Sequence, residues 1–187
     1  KTIPEVIAMA KANGGTTTVA TTGNGGTQHL TSEMFQMMAG VKFQHVPYRG
    51  SAPALSDLVA GTVDMMFDNL GASMQLIKGG QIKLLAVASA KRMAALPDVP
   101  TIAETLPGFE AVAWFGVVAP PKTSMTIVNK INADINEALH DPDVQTKLAN
   151  LNAEVVGGTQ EATAAYFRAE TARWAKVIKD ANVKVDQ

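Results

Sequence analysis

The sequence predicts an α/β fold: a mainly parallel β-sheet with helices on both faces. Three observations predict it. Short β-branched or apolar runs alternate with helical stripes through residues 1–110. One of these runs, Ile-Lys-Leu-Leu-Ala-Val-Ala at 82–88, is nearly continuous in apolar residues, as a strand covered on both faces would be. Glycines then stand repeatedly where a strand turns into a helix or a helix ends, as at Gly23, Gly40, Gly50 and Gly61.

Each element has its own signal. The first helix has Thr2 as N-cap, Pro4 in its first turn, Val6, Ile7 and Ala10 on one side, and Gly14 as its C-terminal glycine. Residues 16–22 are rich in threonine and valine and read as a strand. The turn Gly23-Asn24-Gly25-Gly26 leads into a helix over 27–39, which carries Leu30, Met34, Met37 and Met38 and is closed by Gly40. The cycle repeats with a strand over 42–47 and a helix capped by Ser51 that carries Leu55, Leu58 and Val59. A strand over 63–67 follows, then a helix over 72–78 that Gly79-Gly80 ends, then the strand at 82–88.

After Arg92 the chain changes character. Pro97, Pro100 and Pro107 punctuate it, leaving room for a short helix over 101–105, before a strand over 112–119 that stops at Pro120-Pro121. The remainder reads as helices. Ile127, Ile131, Ile135 and Leu139 form one stripe, and Asp141-Pro142-Asp143 restarts a helix with a cap, a first-turn proline and an acid at the positive end of the dipole. Phe167, Trp174, Ile178 and Ala181 stripe the last helix, and Glu154-Val155-Val156 reads as a further short strand. Residues 1–110 therefore supply a small lobe, whereas 111–187 supply striped helices and little sheet for them to cover. Either those helices fold back on the first lobe, or the sheet they cover lies outside the sequence.

Composition narrows the function. Of 187 residues, 47% are hydrophobic and 18% charged, and 16 basic against 17 acidic residues give a net charge of -1, which is no footprint for nucleic acid. The absence of cysteine excludes disulfides, thiolate metal sites and cysteine nucleophiles. No apolar run approaches the ~18 residues that span a bilayer, and no basic-then-apolar leader opens the chain, a point on which a mature secreted protein and a cytosolic one look alike. No Gly-x-Ser-x-Gly elbow and no His-Glu-x-x-His motif marks a catalyst.

The stretch richest in chemistry is Thr21-Thr22-Gly23-Asn24-Gly25-Gly26-Thr27-Gln28-His29-Leu30, a strand passing through glycines into a helix. Such a turn offers backbone amides and about +0.5 charge of helix dipole to an anion. The candidates are a dinucleotide pyrophosphate, a mononucleotide phosphate and a carboxylate. The dinucleotide fingerprint wants a glycine where Gln28 stands and an acid where Tyr48-Arg49 follow the next strand, and no Gly-Lys-Ser/Thr makes a Walker loop. A carboxylate fits better.

His29, four residues before Glu33, reads as a brace for the loop, and as a metal pair these two lack a third ligand. His45 and His140 read as structural. Tyr48, Arg49 and Asp68 arrive at the same carboxyl edge of the sheet, where open α/β folds bind ligands. Arg49 reads as a clamp or a surface residue, and Asp68 as an acceptor or a helix cap. Trp114 and Phe115 lie where the chain crosses out of the first lobe, as cleft lining or core.

The run from Thr21 to Leu30, with Val46-Pro47-Tyr48-Arg49-Gly50-Ser51-Ala52-Pro53-Ala54, resembles the Bug family of extracytoplasmic solute receptors. These are the substrate-binding proteins of tripartite tricarboxylate transporters. The likeness continues through Asp57-Leu58-Val59-Ala60-Gly61, Met65-Met66-Phe67-Asp68-Asn69-Leu70, Ala86-Val87-Ala88-Ser89-Ala90-Lys91-Arg92, Leu96-Pro97-Asp98-Val99-Pro100-Thr101, Trp114-Phe115-Gly116 and Val156-Gly157-Gly158-Thr159. The resemblance implies a periplasmic binding protein type II-like (Venus flytrap) fold, here one complete lobe plus the C-terminal part of the other. Residues 1–110 are then domain 2, with the carboxylate loop, and 111–187 are the hinge strand and helical part of domain 1. About a hundred further residues, the size of a small lobe, precede this region in family members.

The resemblance also implies that Thr22, Gly23, Gly25, Gly26, Thr27 and His29 hold a ligand carboxylate, with Tyr48, Asp68 and Trp114 nearby. It implies no catalytic residue, metal or cofactor, a periplasmic location, and two partners: a small organic carboxylate and the membrane subunits of a secondary transporter. A lone half with bare stripes would be prone to dimerise. Two other classes share parts of this pattern: the effector-sensing domain of a transcription regulator, and an enzyme using the Gly23 turn for a nucleotide.

Overall fold

The computed structural model describes residues 2–184. It divides into two compact units, Lys1–Ala113 with Trp174–Gln187, and Trp114–Arg173.

In the first unit, α1 (Ile3–Ala12) opens on the expected cap. Thr2 Oγ1 accepts from the Glu5 amide while the Glu5 carboxylate accepts from the Thr2 amide, a reciprocal capping box. β1 (Thr18–Thr21), β2 (Gln44–Pro47) and β3 (Met65–Met66) form a parallel sheet in the order β2-β1-β3, with Val19 opposite both His45 and Met65. At its lower end Asp64 accepts from the Thr18 amide (2.7 Å) and hydroxyl (2.8 Å), pinning β1 to β3 where the ladder starts. The crossovers are α2 (Thr27–Ala39) and α3 (Ser51–Ala60), and α4 (Leu70–Lys78) follows β3. Gly40 and Gly61 end α2 and α3 in the left-handed region, at φ 62° and 75°.

The core lies between α1, α2 and the sheet. Phe35, fully buried, meets Phe43, Phe67 and Phe109 at ring-centroid distances of 5.8, 5.5 and 6.1 Å. Val19, Ile3, Val6, Val41 and Ile102 fill in around them, and a smaller cluster of Ala20, Ala54 and Val63 packs on the other face of the sheet. Both faces of β1 are thus covered, which is why it carries apolar and small residues on both sides.

Several expected elements are shorter or absent among the described residues. The apolar run at 82–88 forms no ladder and makes a single parallel bridge, Val87 to Thr101. Ile82 N donates to Leu76 O (3.4 Å) at its start, and at its end Val87 N donates to Pro100 O and Ala111 N to Ala88 O (2.9 Å each). Of the run only Val87 is buried, so apolarity marked neither full cover nor a partner strand. The stretches at 112–119 and 154–156 are likewise not in strands, and Phe115 and Val156 are 95% and 88% exposed. Thr101 heads the expected short helix, a 3-10 turn over Ile102–Glu104, with a capping box of its own. Arg92 adds an ion pair to Glu104 at 2.7 Å, and this guanidinium, with the Thr101 amide, holds the Glu104 carboxyl down at about 2.

The second unit carries α5 (Met125–Leu139), α6 (Pro142–Asn150) and the larger part of α7 (Gln160–Asp180). Asp141 caps α6 as expected, accepting from the amides of Asp143 and Val144. Asn136 on α5 takes the place of a strand partner for Gly158: its amide donates to Gly158 O (3.0 Å) and its carbonyl accepts from Gly158 N (2.8 Å). The last helix corrects the expected stripe. Val177 is buried and Trp174 packs beside it in the first unit's core, whereas Ile178 is 37% exposed. Trp174 lies on the packed face as expected, and Val177 takes the place expected of Ile178.

Candidate functional site

Parallel pairing brings the carboxyl ends of β1, β2 and β3 to one edge, and three chain segments leave it there: residues 22–26, 48–50 and 67–69. The first crosses into α2 through Gly23 and Gly25, at φ 109° and 76°. That conformation costs an L-residue with a Cβ roughly 1–2 kcal/mol, so glycine is what allows the tight entry. Gly26 is the N-cap and has no side chain to cap with. Among the described residues, no acceptor faces the amides of Thr27 and Gln28 in the first turn.

Side chains from the first and third of these segments meet beside this turn with Gln28 of α2 and Ser51 of α3. The Thr22 hydroxyl donates to Gln28 Oε1 in a short hydrogen bond. Gln28 Nε2 donates to Asp68 Oδ1 at 2.9 Å and lies 3.4 Å from Ser51 Oγ, which itself donates to Asp68 Oδ1 at 3.0 Å. The chain thus ties β1, α2, α3 and the end of β3 into one polar network. The other Asp68 oxygen, Oδ2, is shielded from solvent and has no hydrogen-bond partner, so this carboxylate retains accepting capacity.

Beneath the turn, the Gly25 amide donates to His29 Nδ1 at 3.0 Å, the bracing role expected of that histidine. Burial, and then the neighbouring His45, push the His29 pKa below 6.5. The hydrogen bond from His45 holds the Glu33 carboxyl below the usual glutamate value.

The expected residues divide accordingly. Thr22, Gly23, Gly25, Gly26, Thr27 and His29 form one continuous turn, with Asp68 brought to it through Gln28. Tyr48 lies at the same edge, but its hydroxyl donates to Asp57 Oδ2 on α3 at 2.8 Å, and that bond raises its pKa. Arg49 is exposed. Trp114 belongs to the second unit, where its indole donates to Glu170 Oε2 at 3.1 Å and meets Tyr166 and Phe167 edge-on. Ser51 is the first residue of α3 rather than its cap, because Gly50 takes the cap position and frees the hydroxyl for Asp68.

Sequence reasoning missed Gln28, noticed there only as a missing glycine, and the third member of the histidine group, His45, whose Nε2 lies 2.8 Å from Glu33 Oε1. A groove lined by Ala52, Leu55, Ser56, Val59, Leu76 and Gln81 contains none of these residues.

A parallel α/β layer with a glycine turn and a polar network at its carboxyl edge has the arrangement in which open α/β sheets place ligands. The chain belongs to the family described as the tripartite tricarboxylate transporter family receptor, whose model matches residues 1–183. It is 43% identical over 187 residues to the UPF0065 protein in the tcbD-tcbE intergenic region of Pseudomonas sp. (strain P51), covering 99% of this chain and 56% of that one.

Among solved structures, R. palustris Rpa4515 with adipate matches at 38% identity and a TM-score of 0.88, over 99% of this chain and 62% of that chain. The periplasmic binding protein BugD matches at 34% and 0.84, over 99% and 63%. MatC (Rpa3494) from Rhodopseudomonas palustris with bound malate matches at 32% and 0.80, over 95% and 62%. The chain therefore spans between half and two thirds of the length of these relatives. A TctC solute binding protein from Polaromonas matches as well, at 28% identity and a TM-score of 0.80, over 96% of this chain and 62% of that chain.

Proposed function

We propose that this chain is the ligand-loop portion of an extracytoplasmic receptor that captures a small organic carboxylate for a tripartite-type transporter. The observation that carries the reading is the turn at 22–28. Its first-turn amides lack protein acceptors while glycines let a ligand approach the backbone. A carboxylate oxygen supplies the missing acceptor, and the helix dipole favours its charge. Adipate and malate in two solved relatives support a carboxylate as the ligand class. The same family membership supports the periplasm as location and membrane subunits as partners.

In this reading residues 1–110 form the lobe with the carboxylate loop, and 111–187 are the hinge segment, which forms no strand here, and the C-terminal part of a second lobe. Closure of two lobes over the anion is driven by tighter binding in the closed state. The 187-residue chain alone then meets only one side of the ligand, so it binds adipate or malate with a Kd in the millimolar range, about 4 kcal/mol. Calorimetry with these acids, beside ATP and NAD, tests this. Submicromolar carboxylate binding by this chain would refute the two-lobe reading, and nucleotide binding without carboxylate binding would refute the receptor reading.

A further inference from the structure

We infer that His29 is an acid-sensitive latch on the ligand loop, holding the Gly25 amide while neutral and releasing it when protonated, with Glu33 and His45 as positioning residues for its ring. This rests on the reading of residues 22–28 as the ligand loop.

The proton assignment follows from one contact. His29 Nδ1 accepts from the Gly25 N–H at 3.0 Å, so that nitrogen carries no proton and the neutral ring keeps its proton on Nε2. The ring is held from two further sides. Its Nε2 lies 3.6 Å from Glu33 Oε1, one helical turn along α2, and its edge meets the His45 ring from β2 at a centroid distance of 4.5 Å. His45 Nε2 reaches the same Glu33 oxygen at 2.8 Å. Gln36 lies beside this layer, its Oε1 accepting from the Phe43 amide at 2.7 Å. Helix α2, strand β2 and the loop are thus joined through one imidazole.

A metal is the obvious rival occupant, because His29, Glu33 and His45 each offer a ligand atom within 4.8 Å of the others. The tautomer argues against it. A cation on His29 Nε2 would move the ring proton to Nδ1, against the Gly25 N–H at 3.0 Å. Metal-bound histidines donate their second N–H to an acceptor, and here that position is occupied by a donor.

The same conflict makes the contact acid-labile. Protonated imidazole is a donor at both nitrogens, so Nδ1–H would confront the Gly25 N–H, while Glu33 draws the other edge away. Glu33 from its own helix and His45 from β2 are the titratable groups that bear on His29 among the described residues, and the loop contributes only the Gly25 amide. Burial and His45 lower the ring's proton affinity and Glu33 raises it. Gly25, at φ 76°, then loses the hydrogen bond it gives to the ring.

The test is a histidine-labelled long-range 1H–15N spectrum of the full chain, followed with the backbone amides from about pH 7.5 to about pH 4.5. The expected results are an Nε2–H tautomer for His29, and a Gly25 amide whose shift moves with the His29 midpoint. Glu33→Gln should lower that midpoint and His45→Gln raise it. A merely structural pair would not shift it in opposite directions. An Nδ1–H tautomer, zinc binding that perturbs all three side chains, or a Gly25 amide that ignores the His29 titration would overturn the latch.

Adipate protonates over the same range and binds more weakly to any variant as it does, so the readout is the difference: affinity should fall about tenfold further in the wild-type chain than in His29→Gln, which accepts without titrating. A decline no steeper in the wild-type chain than in His29→Gln, beside a normal Gly25 response, would overturn the coupling to ligand. Adipate bound at no pH would instead sink the receptor reading, with the tautomer result still deciding the latch itself.

Discussion

Helices α2 and α5 look alike in sequence, each with an apolar stripe at helical spacing, and they end in opposite circumstances. In the first unit, α2 buries Leu30, Met34 and Phe35 together with the polar Gln28, His29 and Gln36. In the second, α5 buries no residue, and Ile127 and Ile131 are 53% and 42% exposed. A stripe tells which face of a helix seeks cover; it does not tell whether cover is within the sequence at hand. Buried polar groups mark the difference more sharply than apolar ones. Gln28, His29 and Gln36 each have a hydrogen-bond partner, which offsets the cost of taking a polar group out of water.

Truncating a phenylalanine in each unit should give the largest contrast. Phe35→Ala removes the ring at the centre of the Phe43, Phe67 and Phe109 contacts and is expected to cost about 3–5 kcal/mol in urea unfolding. Phe115→Ala, at a side chain 95% exposed, should change stability by less than about 0.5 kcal/mol. Equal losses at both positions would break the comparison.

A polar substitution sharpens it. Gln36→Leu leaves the Phe43 amide without its acceptor in a buried setting, with an expected loss of about 1–3 kcal/mol by the same measurement. Asp141→Ala removes the cap of α6 and should cost about 1 kcal/mol, visible as fraying of residues 142–145 in amide exchange.

The pH dependence of stability follows from the same buried groups. His29 has its pKa lowered in the fold, so its contribution is intact above about 6.5 and is lost as pH falls toward the folded value. Glu33, also lowered, begins to lose its contribution only below about 4.5, as pH falls toward its folded value. Denaturation midpoints should therefore decline in two stages on acidification. His29→Gln should remove the upper one, and a single decline unaffected by that substitution would contradict the assignment.

Local chemistry made much of this legible. Thr2, Gly40, Thr101 and Asp141 act as caps or stops where their residue types predict, and the β1 turn into α2 stands where Gly23 to Gly26 place it. Illegible features were those decided by pairing at a distance. The run at 82–88 is apolar enough for a strand, but a ladder needs a neighbour, and only Val87 has one. His45 read as an isolated strand histidine until parallel register put it opposite Val19 and so beside α2. Gln28 gave no signal of its own, because its partners Ser51 and Asp68 arrive from two other strand ends.

The central claim is that the turn from β1 into α2 receives a carboxylate, and amide chemical shifts during an adipate titration test it most directly. The account predicts that Gly25, Gly26, Thr27 and Gln28 move together and further than residues elsewhere, saturating in the millimolar range, about 4 kcal/mol of binding. Amides at these four positions that stay fixed up to about 50 mM adipate, or move less than those lining the groove beside Leu55 and Leu76, would contradict it.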